Sequence, residues 1–237
     1  MMKVVFDIDN TLYSYSETGF SQYMLGKITE FIADRLNMEP EAAKKLGLGY
    51  LESYGLPAFP LHKYHGVDLV DFCRFVNSCD YSRLTRSEEL IQLLQRLKDA
   101  GHDLWIMTNA DMPHAHSVLD ALDIKHFFVD AATNELRGFD CFLQWDHSEP
   151  KMQNKPQRGA YEALHRMLDP SVPHNDVVMI DDAIANLEAP HHLGWRTVWI
   201  SHGNELPSTV TYKPDVVVKN IFELPTSPEF LAMSSTA

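Results

Sequence analysis

The sequence predicts an α/β protein with a doubly wound, mainly parallel sheet and an inserted helical cap. Short apolar runs of strand length alternate with amphipathic helical patterns, which implies a parallel sheet covered by helices on both faces. The first two apolar runs are about a hundred residues apart, whereas one strand–helix–strand unit takes roughly 30 residues. The extra length predicts an insertion between the first two strands.

Four apolar runs have the composition of parallel strands that are buried on both faces. They are Val4–Phe6, Leu104–Met107, Val177–Ile180 and Thr197–Ile200. Residues 133–154 are irregular, with Cys141–Trp145 as a candidate strand. These runs define a core of residues 1–15 and 85–225.

Helical periodicity fills the intervals between the strands. Leucines at i, i+3, i+4 and i+7 within Leu90–Leu97 predict one amphipathic helix. A capping box of Thr85 and Glu88 is expected to begin it, and Gly101 to end it. Pro156 is expected to begin a later helix.

The inserted segment, residues 16–84, is predicted to be a mainly helical cap. Its clearest helical patterns are Phe20–Leu36 and Pro40–Tyr54. At the other end of the chain, residues 226–237 are rich in Ser, Thr and Pro. We expect this tail to be poorly ordered.

Composition excludes some classes of partner. The 237 residues are 45% hydrophobic and 22% charged, which is typical of a globular protein. A formal charge of −13 argues against binding to nucleic acid or to an anionic membrane. No apolar run approaches the ~18 residues of a membrane span, and no basic segment precedes the first strand. Three cysteines without a CxxC pair favour reduced thiols and a cytoplasmic location.

Polar residues follow the predicted strands at the edge where doubly wound sheets bind ligands. The first three runs are followed by acidic or hydrogen-bonding residues, and a lysine precedes the helix expected at Pro156. These residues are Asp7, Asp9, Thr108, Asn109, Lys155, Asp181 and Asp182. The sequence thus predicts four carboxylates and one ammonium at a single edge of the sheet.

Clustered carboxylates raise one another's pKa, whereas a divalent cation reverses that tendency. Because the predicted ligands are all hard oxygens, Mg²⁺ is the expected ion, shared with a substrate phosphate. A lone Asp-x-Asp is weak evidence, since it also occurs in solvated turns and in sites that bind nucleotide sugars through a metal. An EF-hand is excluded because Leu12 stands where that loop needs Gly. The ordered set of residues at several strand ends is far more specific.

The segments "FDIDNTLY", "IMTNA", "NKPQRGAYEAL" and "IDDAIANLEAPHHLGW" resemble, in this order, the haloacid dehalogenase (HAD) superfamily of phosphohydrolases. A cap between the first two motifs resembles subfamily I, with a Rossmann-like core. The segments "YLESYGL" and "HKYHGVD" add a resemblance to the pyrimidine 5′-nucleotidase group. The resemblance implies a Mg²⁺-dependent phosphatase for small phosphate esters, with pyrimidine nucleoside 5′-monophosphates as the expected substrates.

The resemblance also implies a role for each matched residue. Asp7 would be the nucleophile that forms an aspartyl-phosphate, and Asp9 the acid that protonates the leaving oxygen and then activates water. A regular strand would place both on one side, whereas a sharp turn could place both beside the phosphate. Thr108 and Lys155 would bind the phosphoryl group. Asn109 would contact the phosphate or cap the following helix.

The fourth motif would supply metal ligands beside Asp7 and Asp9. Alignment on the usual form of the motif makes Asp182 the direct ligand. Asp181 is then a second ligand or a supporting group. Asn186 stands where the family often has an acid.

Several conspicuous side chains in the sequence have two interpretations. In the cap, Tyr54, His62 and His65 could contact the base or sugar of a nucleotide, or could simply pack the cap. Four further histidines suggest zinc to the eye, but their spacing matches no common ligand pattern. They are His114, His116, His191 and His192.

Three other functions are compatible with parts of the pattern. A broad sugar-phosphate phosphatase or a phosphosugar mutase would use the same acids. A dehalogenase needs no leaving-group acid such as Asp9. A catalytically inactive scaffold that binds a protein partner has no need to retain the complete set of acids and Lys155.

Overall fold

The computed structural model describes residues 1–140 and 154–235. Its centre is a six-stranded sheet in which all neighbouring strands are parallel, in the order β3-β2-β1-β4-β5-β6. The strands are β1 (Lys3–Phe6), β2 (Asp103–Thr108), β3 (Gly138–Asp140), β4 (Val177–Asp181), β5 (Arg196–Ile200) and β6 (Val216–Val218). The predicted doubly wound α/β fold is confirmed.

Strand β1 lies at the point where the strand order reverses. Its Phe6 pairs with Ile106 of β2 on one side and with Ile180 of β4 on the other. The chain passes from β1 to β2 and β3, and then returns to β4 on the opposite side of β1. Connections that diverge from such a point leave a crevice beyond the carboxyl ends of the strands. Residues that follow β1 and β4 therefore face one another across this crevice.

Helices cover both faces of the sheet because successive strand residues point to opposite faces. In β1, Val4 and Phe6 join one buried cluster and Val5 joins the other. The first cluster includes residues of α6 (Glu88–Asp99) and α7 (Met112–Ala121), and the second includes residues of α8 (Arg158–Leu168). The short α9 (Glu188–His192) precedes β5, and α10 (Pro228–Ser235) ends the described chain.

The inserted segment between β1 and α6 is mainly helical. Its helices are α1 (Tyr15–Thr18), α2 (Phe20–Leu36), α3 (Pro40–Tyr54), α4 (Ala58–His65) and α5 (Leu69–Val76). The helices enclose their own apolar cluster, in which the Phe31 and Phe72 rings meet edge to face with centroids 5.2 Å apart. The cap thus has an apolar cluster of its own, separate from the two clusters on the faces of the sheet.

Two local predictions differ from the structure, and two short strands were not predicted. The N-cap of α6 is Ser87, whose Oγ accepts the Leu90 N–H at 3.3 Å, and not Thr85. Residues 228–235, predicted to be a disordered tail, form α10, because the Phe230 ring is buried in the first core cluster. The strands β3 and β6 were not predicted, since each has only three residues.

The candidate strand Cys141–Trp145 lies outside the described residues. Within the described ranges, no helix combines the length and the apolar character needed to cross a membrane.

Candidate active site

The chain turns sharply directly after β1, and this turn places two acids in one cavity. The N–H of Leu12 donates to the carbonyl of Ile8 at 3.0 Å. Asn10 adopts a left-handed conformation with φ of 62°, which Asn tolerates better than most residues. Because the strand does not continue past this point, Asp7 and Asp9 both line the same cavity.

Three carboxylates meet across the crevice between β1 and β4. Asp7, Asp181 and Asp182 each offer an oxygen, and these oxygens all lie within 4.8 Å of one another. The loop after β1 orients two of them. Thr11 Oγ1 donates to Asp7 Oδ2 at 3.1 Å, and Asn10 Nδ2 donates to Asp182 Oδ2 at 2.6 Å. The cluster therefore depends on the turn after β1 as well as on the sheet.

Lys155 places its ammonium between two of these acids. Its Nζ lies 2.5 Å from Asp7 Oδ1 and 2.6 Å from Asp181 Oδ2, and only 2% of the residue is exposed. Burial alone would lower the pKa of Lys155, but the charges of Asp181 and Asp7 raise it overall. Lys155 is therefore a fixed positive charge at the bottom of the cavity.

One ammonium does not neutralise three carboxylates. Burial raises the pKa of Asp7 well above its usual value despite Lys155, and Asp181 and Asp182 raise it further. Burial, reinforced by the charge of Asp181, raises the pKa of Asp182 to about 6. A divalent cation would lower the pKa of both acids. An all-oxygen set of this size and charge fits Mg²⁺.

Asp181 and Asp182 differ in how many hydrogen bonds they already accept. Asp181 accepts bonds from Lys155 Nζ at 2.6 Å, from the Ala183 N–H at 2.9 Å, and from Asn186 Nδ2 at 3.0 and 3.1 Å. Asp182 accepts the bond from Asn10. Asn186, which stands where the family often has an acid, thus orients Asp181.

Two residues near the end of β2 were predicted to bind phosphate. The side chain of Asn109 clamps the main chain of Lys155: Oδ1 accepts the Lys155 N–H at 2.9 Å, and Nδ2 donates to the Lys155 carbonyl at 3.0 Å. Thr108 Oγ1 accepts the Ala110 N–H at 3.0 Å, and a hydroxyl that accepts in this way can still donate to a phosphate oxygen. Both residues line the cavity.

Asp9, predicted as a fourth carboxylate for the metal, does not belong to the acid cluster. Tyr13 OH donates to Asp9 Oδ1 at 2.6 Å, and His114 Nε2 lies 3.0 and 3.1 Å from the two carboxylate oxygens. Burial would raise the pKa of Asp9, but the charge and hydrogen bond of His114 lower it overall. Asp7 and Asp9 are thus only two positions apart but have opposite pKa shifts, because their surroundings differ.

In the sequence, His114 stands out only as one of four histidines whose spacing matches no common zinc-ligand pattern. The residue lies in the first turn of α7 after the N-cap Asp111, and only 2% of it is exposed. Its Nδ1 lies 2.9 Å from Tyr81 OH. The sequence offers only a histidine near the start of a helix. A histidine in such a position is more often a packing residue than a functional one.

A cavity of about 330 Å³ extends from the acids into the space beneath the cap. Apolar side chains form most of its cap side: Met24, Leu25, Ile28, Leu51, Leu56, Phe72 and Val76. A polar pair also lines it, in which Asn77 Nδ2 donates to both oxygens of Asp111 at 2.8 and 2.9 Å. Small-molecule sites commonly combine apolar walls with a few polar groups in this way.

The three cap residues predicted to recognise a base do not line this cavity in the described part of the chain. Tyr54 OH pairs with Tyr64 OH at 2.9 Å, and His65 Nε2 with Tyr50 OH at 2.8 Å. His62 Nδ1 lies 2.9 Å from the carbonyl of Val67. Their observed contacts hold the cap together.

Comparison with known proteins identifies the fold. A HAD phosphatase from Thermococcus onnurineus matches with 17% identity and a TM-score of 0.65, over 95% of this chain and 97% of that one. The putative HAD-hydrolase YfnB from Bacillus subtilis, bound to magnesium, matches with 16% identity and a TM-score of 0.62, over 95% and 97%. An L-2-haloacid dehalogenase from Xanthobacter autotrophicus matches with 15% identity and a TM-score of 0.57, over 95% and 97%. Since these relatives differ in chemistry, the likeness concerns the fold alone.

The model of the haloacid dehalogenase-like hydrolases matches residues 1–194. This match covers both acids after β1, the cap, Lys155 and the two acids at the end of β4. The chain belongs to the haloacid dehalogenase-like hydrolase family.

Proposed function

We propose that this hydrolase is a Mg²⁺-dependent phosphomonoesterase that forms an aspartyl-phosphate on Asp7. The observation that carries the proposal is the arrangement around Asp7. Its buried carboxylate lines the cavity, contacts the Lys155 ammonium at 2.5 Å and belongs to a cluster of three acids. A carboxylate beside a fixed cation suits covalent phosphoryl transfer, in which positioning and charge carry most of the catalysis.

In the first step, an oxygen of Asp7 attacks phosphorus while the bond from phosphorus to the ester oxygen breaks. Asp9 delivers its proton to that ester oxygen, so the alcohol leaves in neutral form. Thr108 and Lys155 hold the equatorial oxygens of the phosphoryl group and offset their charge. The products are the alcohol and a phosphorylated Asp7.

In the second step, Asp9 is a carboxylate and accepts a proton from water as that water attacks the phosphorus. The bond between phosphorus and Asp7 breaks, which releases phosphate and restores both acids. The lowered pKa of Asp9 suits this second task. A dianionic phosphate beside Asp9 would raise that pKa again and favour the protonated form needed in the first step.

The metal would bind among Asp7, Asp182 and the substrate phosphate. Asp182 is the better direct ligand, because Asp181 is already the acceptor for Lys155, Ala183 and Asn186. When bound, Mg²⁺ would polarise the phosphoryl oxygens and offset the charge of the carboxylates. Magnesium in YfnB supports this choice of ion.

We further propose a nucleoside 5′-monophosphate, with a pyrimidine base, as the substrate. The cavity has room for a planar group against its apolar walls, and Asn77 and Asp111 could pair with the polar edge of a base. Hydrogen bonds of this kind can reject analogues more strongly than an apolar pocket can. This substrate, like a cytoplasmic location, rests mainly on the sequence.

A phosphate-release screen with Mg²⁺ tests the proposal. The panel holds UMP, CMP, AMP and a hexose phosphate, and the variant Asp7→Asn serves as the control for covalent chemistry. We expect pyrimidine nucleotides to have the highest kcat/KM and Asp7→Asn to be inactive although folded. A preference for sugar phosphates would exclude the nucleotidase assignment. Near wild-type turnover by Asp7→Asn would exclude the covalent mechanism.

A further inference from the structure

A chain of hydrogen bonds runs through the carboxylate of Asp9. Tyr81 OH lies 2.9 Å from His114 Nδ1, and His114 Nε2 lies 3.0 and 3.1 Å from the two oxygens of Asp9. Tyr13 OH donates to Asp9 Oδ1 from another direction at 2.6 Å. Because an ionised carboxylate only accepts hydrogen bonds, Nε2 is the donor in the central contact.

The imidazole of His114 has little freedom to move. The residue is 2% exposed, and its ring stacks on Phe20 with centroids 6.4 Å apart and an interplanar angle of 28°. The backbone N–H of His114 donates to Oδ1 of the N-cap Asp111 at 3.1 Å, which fixes the backbone at the start of α7. Contacts with Tyr81, Phe20 and Asp111 thus hold the imidazole in place. Its Nε2–H can therefore keep the Asp9 carboxylate in one orientation.

The chain of hydrogen bonds also involves both connections between the cap and the core. Tyr13 lies between β1 and α1, and Tyr81 lies between α5 and α6. The two phenols therefore approach Asp9 and His114 from the segments through which the chain enters and leaves the cap. The orientation of Asp9 depends on the arrangement of both segments.

We infer that His114 is a positioning residue that holds Asp9 in the orientation from which it protonates the leaving oxygen. The inference rests on the proposed function. As the bond from Asp7 to phosphorus forms and the ester bond breaks, the proton of Asp9 moves to the ester oxygen. The carboxylate that remains accepts the Nε2–H of His114, and a hydrogen bond to an ionised acceptor is stronger than one to a neutral acceptor. His114 thus supports the charge that Asp9 gains in this step.

The consequence depends on the leaving group. An alkoxide is a strong base and needs a proton as it leaves, whereas 2,4-dinitrophenolate is a weak base and leaves without one. Loss of orientation at Asp9 should therefore slow cleavage of an alkyl phosphate and largely spare cleavage of 2,4-dinitrophenyl phosphate. The ratio kcat/KM is the appropriate quantity, because it covers the steps up to release of the first product and excludes the hydrolysis of phosphorylated Asp7.

The experiment uses the full chain with Mg²⁺ and three variants. His114→Leu removes both hydrogen bonds at similar volume, and His114→Gln keeps an N–H donor that can reach Asp9. His116→Leu is the matched control, since it makes the same change on the same helix, two positions away from the site. Each protein is assayed with the alkyl phosphate that the wild type cleaves best and with 2,4-dinitrophenyl phosphate, and its folding is checked by thermal melting.

For His114→Leu, we expect kcat/KM to fall by about a hundredfold on the alkyl phosphate and by less than about threefold on the aryl phosphate. His114→Gln should recover much of the loss, and His116→Leu should behave like the wild type. Should His114→Leu fail to fold, Tyr81→Phe provides the measurement. It keeps the ring, removes the hydroxyl on Nδ1 and should lower the alkyl-to-aryl ratio in the same direction.

Equal losses on the two esters would overturn the inference, because they would indicate a structural role. Weaker binding of the alkyl phosphate when His114→Leu is added to the inactive Asp7→Asn variant, by as much as kcat/KM falls, would also overturn it, since His114 would then bind substrate directly. Suppose that the wild type is active and that Asp7→Asn is not. If His114→Leu then leaves the ratio of kcat/KM between the alkyl and the aryl phosphate unchanged, this inference is wrong but the proposed function stands. A wild type that cleaves neither ester sinks the proposed function itself.

Discussion

The Nζ of Lys155 lies 2.5 Å from Asp7 Oδ1, although 148 positions separate the two residues. It lies almost as close, 2.6 Å, to Asp181 Oδ2. Two buried acids from neighbouring strands therefore share one cation. The Asn109 amide keeps that cation in place through two hydrogen bonds to the main chain of Lys155. Asp7, Lys155 and Asp181, the last residue of β4, therefore form one electrostatic unit.

Lys155→Met should reduce both activity and stability. Removing one partner of a buried ion pair leaves its carboxylates without compensation, which costs about 3–5 kcal/mol in unfolding free energy. Loss of the charge beside the phosphoryl group should lower kcat by about a hundredfold or more. Added Mg²⁺ should recover part of the stability, because a second cation can offset the same carboxylates.

Chemical denaturation with and without Mg²⁺ measures the change in stability, and initial rates of phosphate release measure the change in kcat. Lys125→Met is the matched control, since Lys125 pairs with Asp120 at 3.0 Å on the surface. We expect it to change the unfolding free energy by less than about 1 kcal/mol. If Lys155→Met were no more destabilising than Lys125→Met, the buried cation would not be holding the cluster together.

Asp182→Asn should stabilise the metal-free protein at neutral pH and abolish its response to Mg²⁺. The pKa of Asp182 is raised from 3.8 to about 6, so protonation of this acid favours the folded state. The stability that it contributes is complete below 3.8 and is lost as the pH rises through about 6. An amide removes this loss and should make the variant about 1–3 kcal/mol more stable at about pH 7.

The relevant comparison is the difference in unfolding free energy between wild type and Asp182→Asn in chelator. This difference should shrink toward zero at about pH 4, where the wild-type carboxyl is protonated as well. Mg²⁺ should raise the melting temperature of the wild type but not that of the variant. A variant that still responds fully to Mg²⁺ would show that Asp182 is not a ligand.

Gly55→Ala should weaken the contact between cap and core. Gly55 has a φ of 74°, and a Cβ atom there would lie 3.1 Å from Asn109 Nδ2 and 3.3 Å from the Lys155 carbonyl. The strained backbone costs about 1–2 kcal/mol, and the clash displaces the clamp on Lys155. We therefore expect a lower kcat/KM together with a lower melting temperature.

Gly26→Ala provides the control for this substitution. Gly26 lies within α2, and a Cβ atom there would have no other atom within 4 Å. The change should leave activity intact and stabilise the protein by about 0.5–1 kcal/mol. If Gly55→Ala retained wild-type kinetics, the close approach at Gly55 would have no catalytic consequence.

Much of the fold can be predicted from the sequence because it depends on local patterns of apolar residues. The cap helices Phe20–Leu36 and Pro40–Tyr54 have clear helical patterns and were predicted with the bounds that the structure shows. The four longer strands were predicted from apolar runs, and each predicted end lies within one residue of the observed end. The three-residue strands β3 and β6 are too short to produce a pattern. Their place at the sheet is fixed by pairing with distant residues.

The site shows the same division between local and distant information. Asp7 and Asp182 follow strands, so the topology alone predicts that they lie at one edge. The contact between His114 and Asp9 joins residues 105 positions apart, and no spacing rule connects a helix to a loop across that distance. The aromatic residues near Tyr54 attract attention in the sequence but contact one another in the cap.

The cavity beneath the cap is the expected place for the leaving group. Leu25 of α2 lines the cavity on its cap side, and Leu25→Trp would fill much of the space there. If the leaving group occupies the cavity, kcat/KM for a nucleotide should fall by at least about tenfold, as one bulky substitution in a pocket can cause. A small ester such as methyl phosphate needs only the acids and Lys155, so its kcat/KM should remain near the wild-type value.

His65→Ala serves as the control, because His65 is exposed and does not belong to the cavity lining. Equal losses on both esters would indicate that the indole disturbs the acids. If kcat/KM for the nucleotide fell in His65→Ala but not in Leu25→Trp, the base would instead be recognised by exposed residues of the cap such as His65.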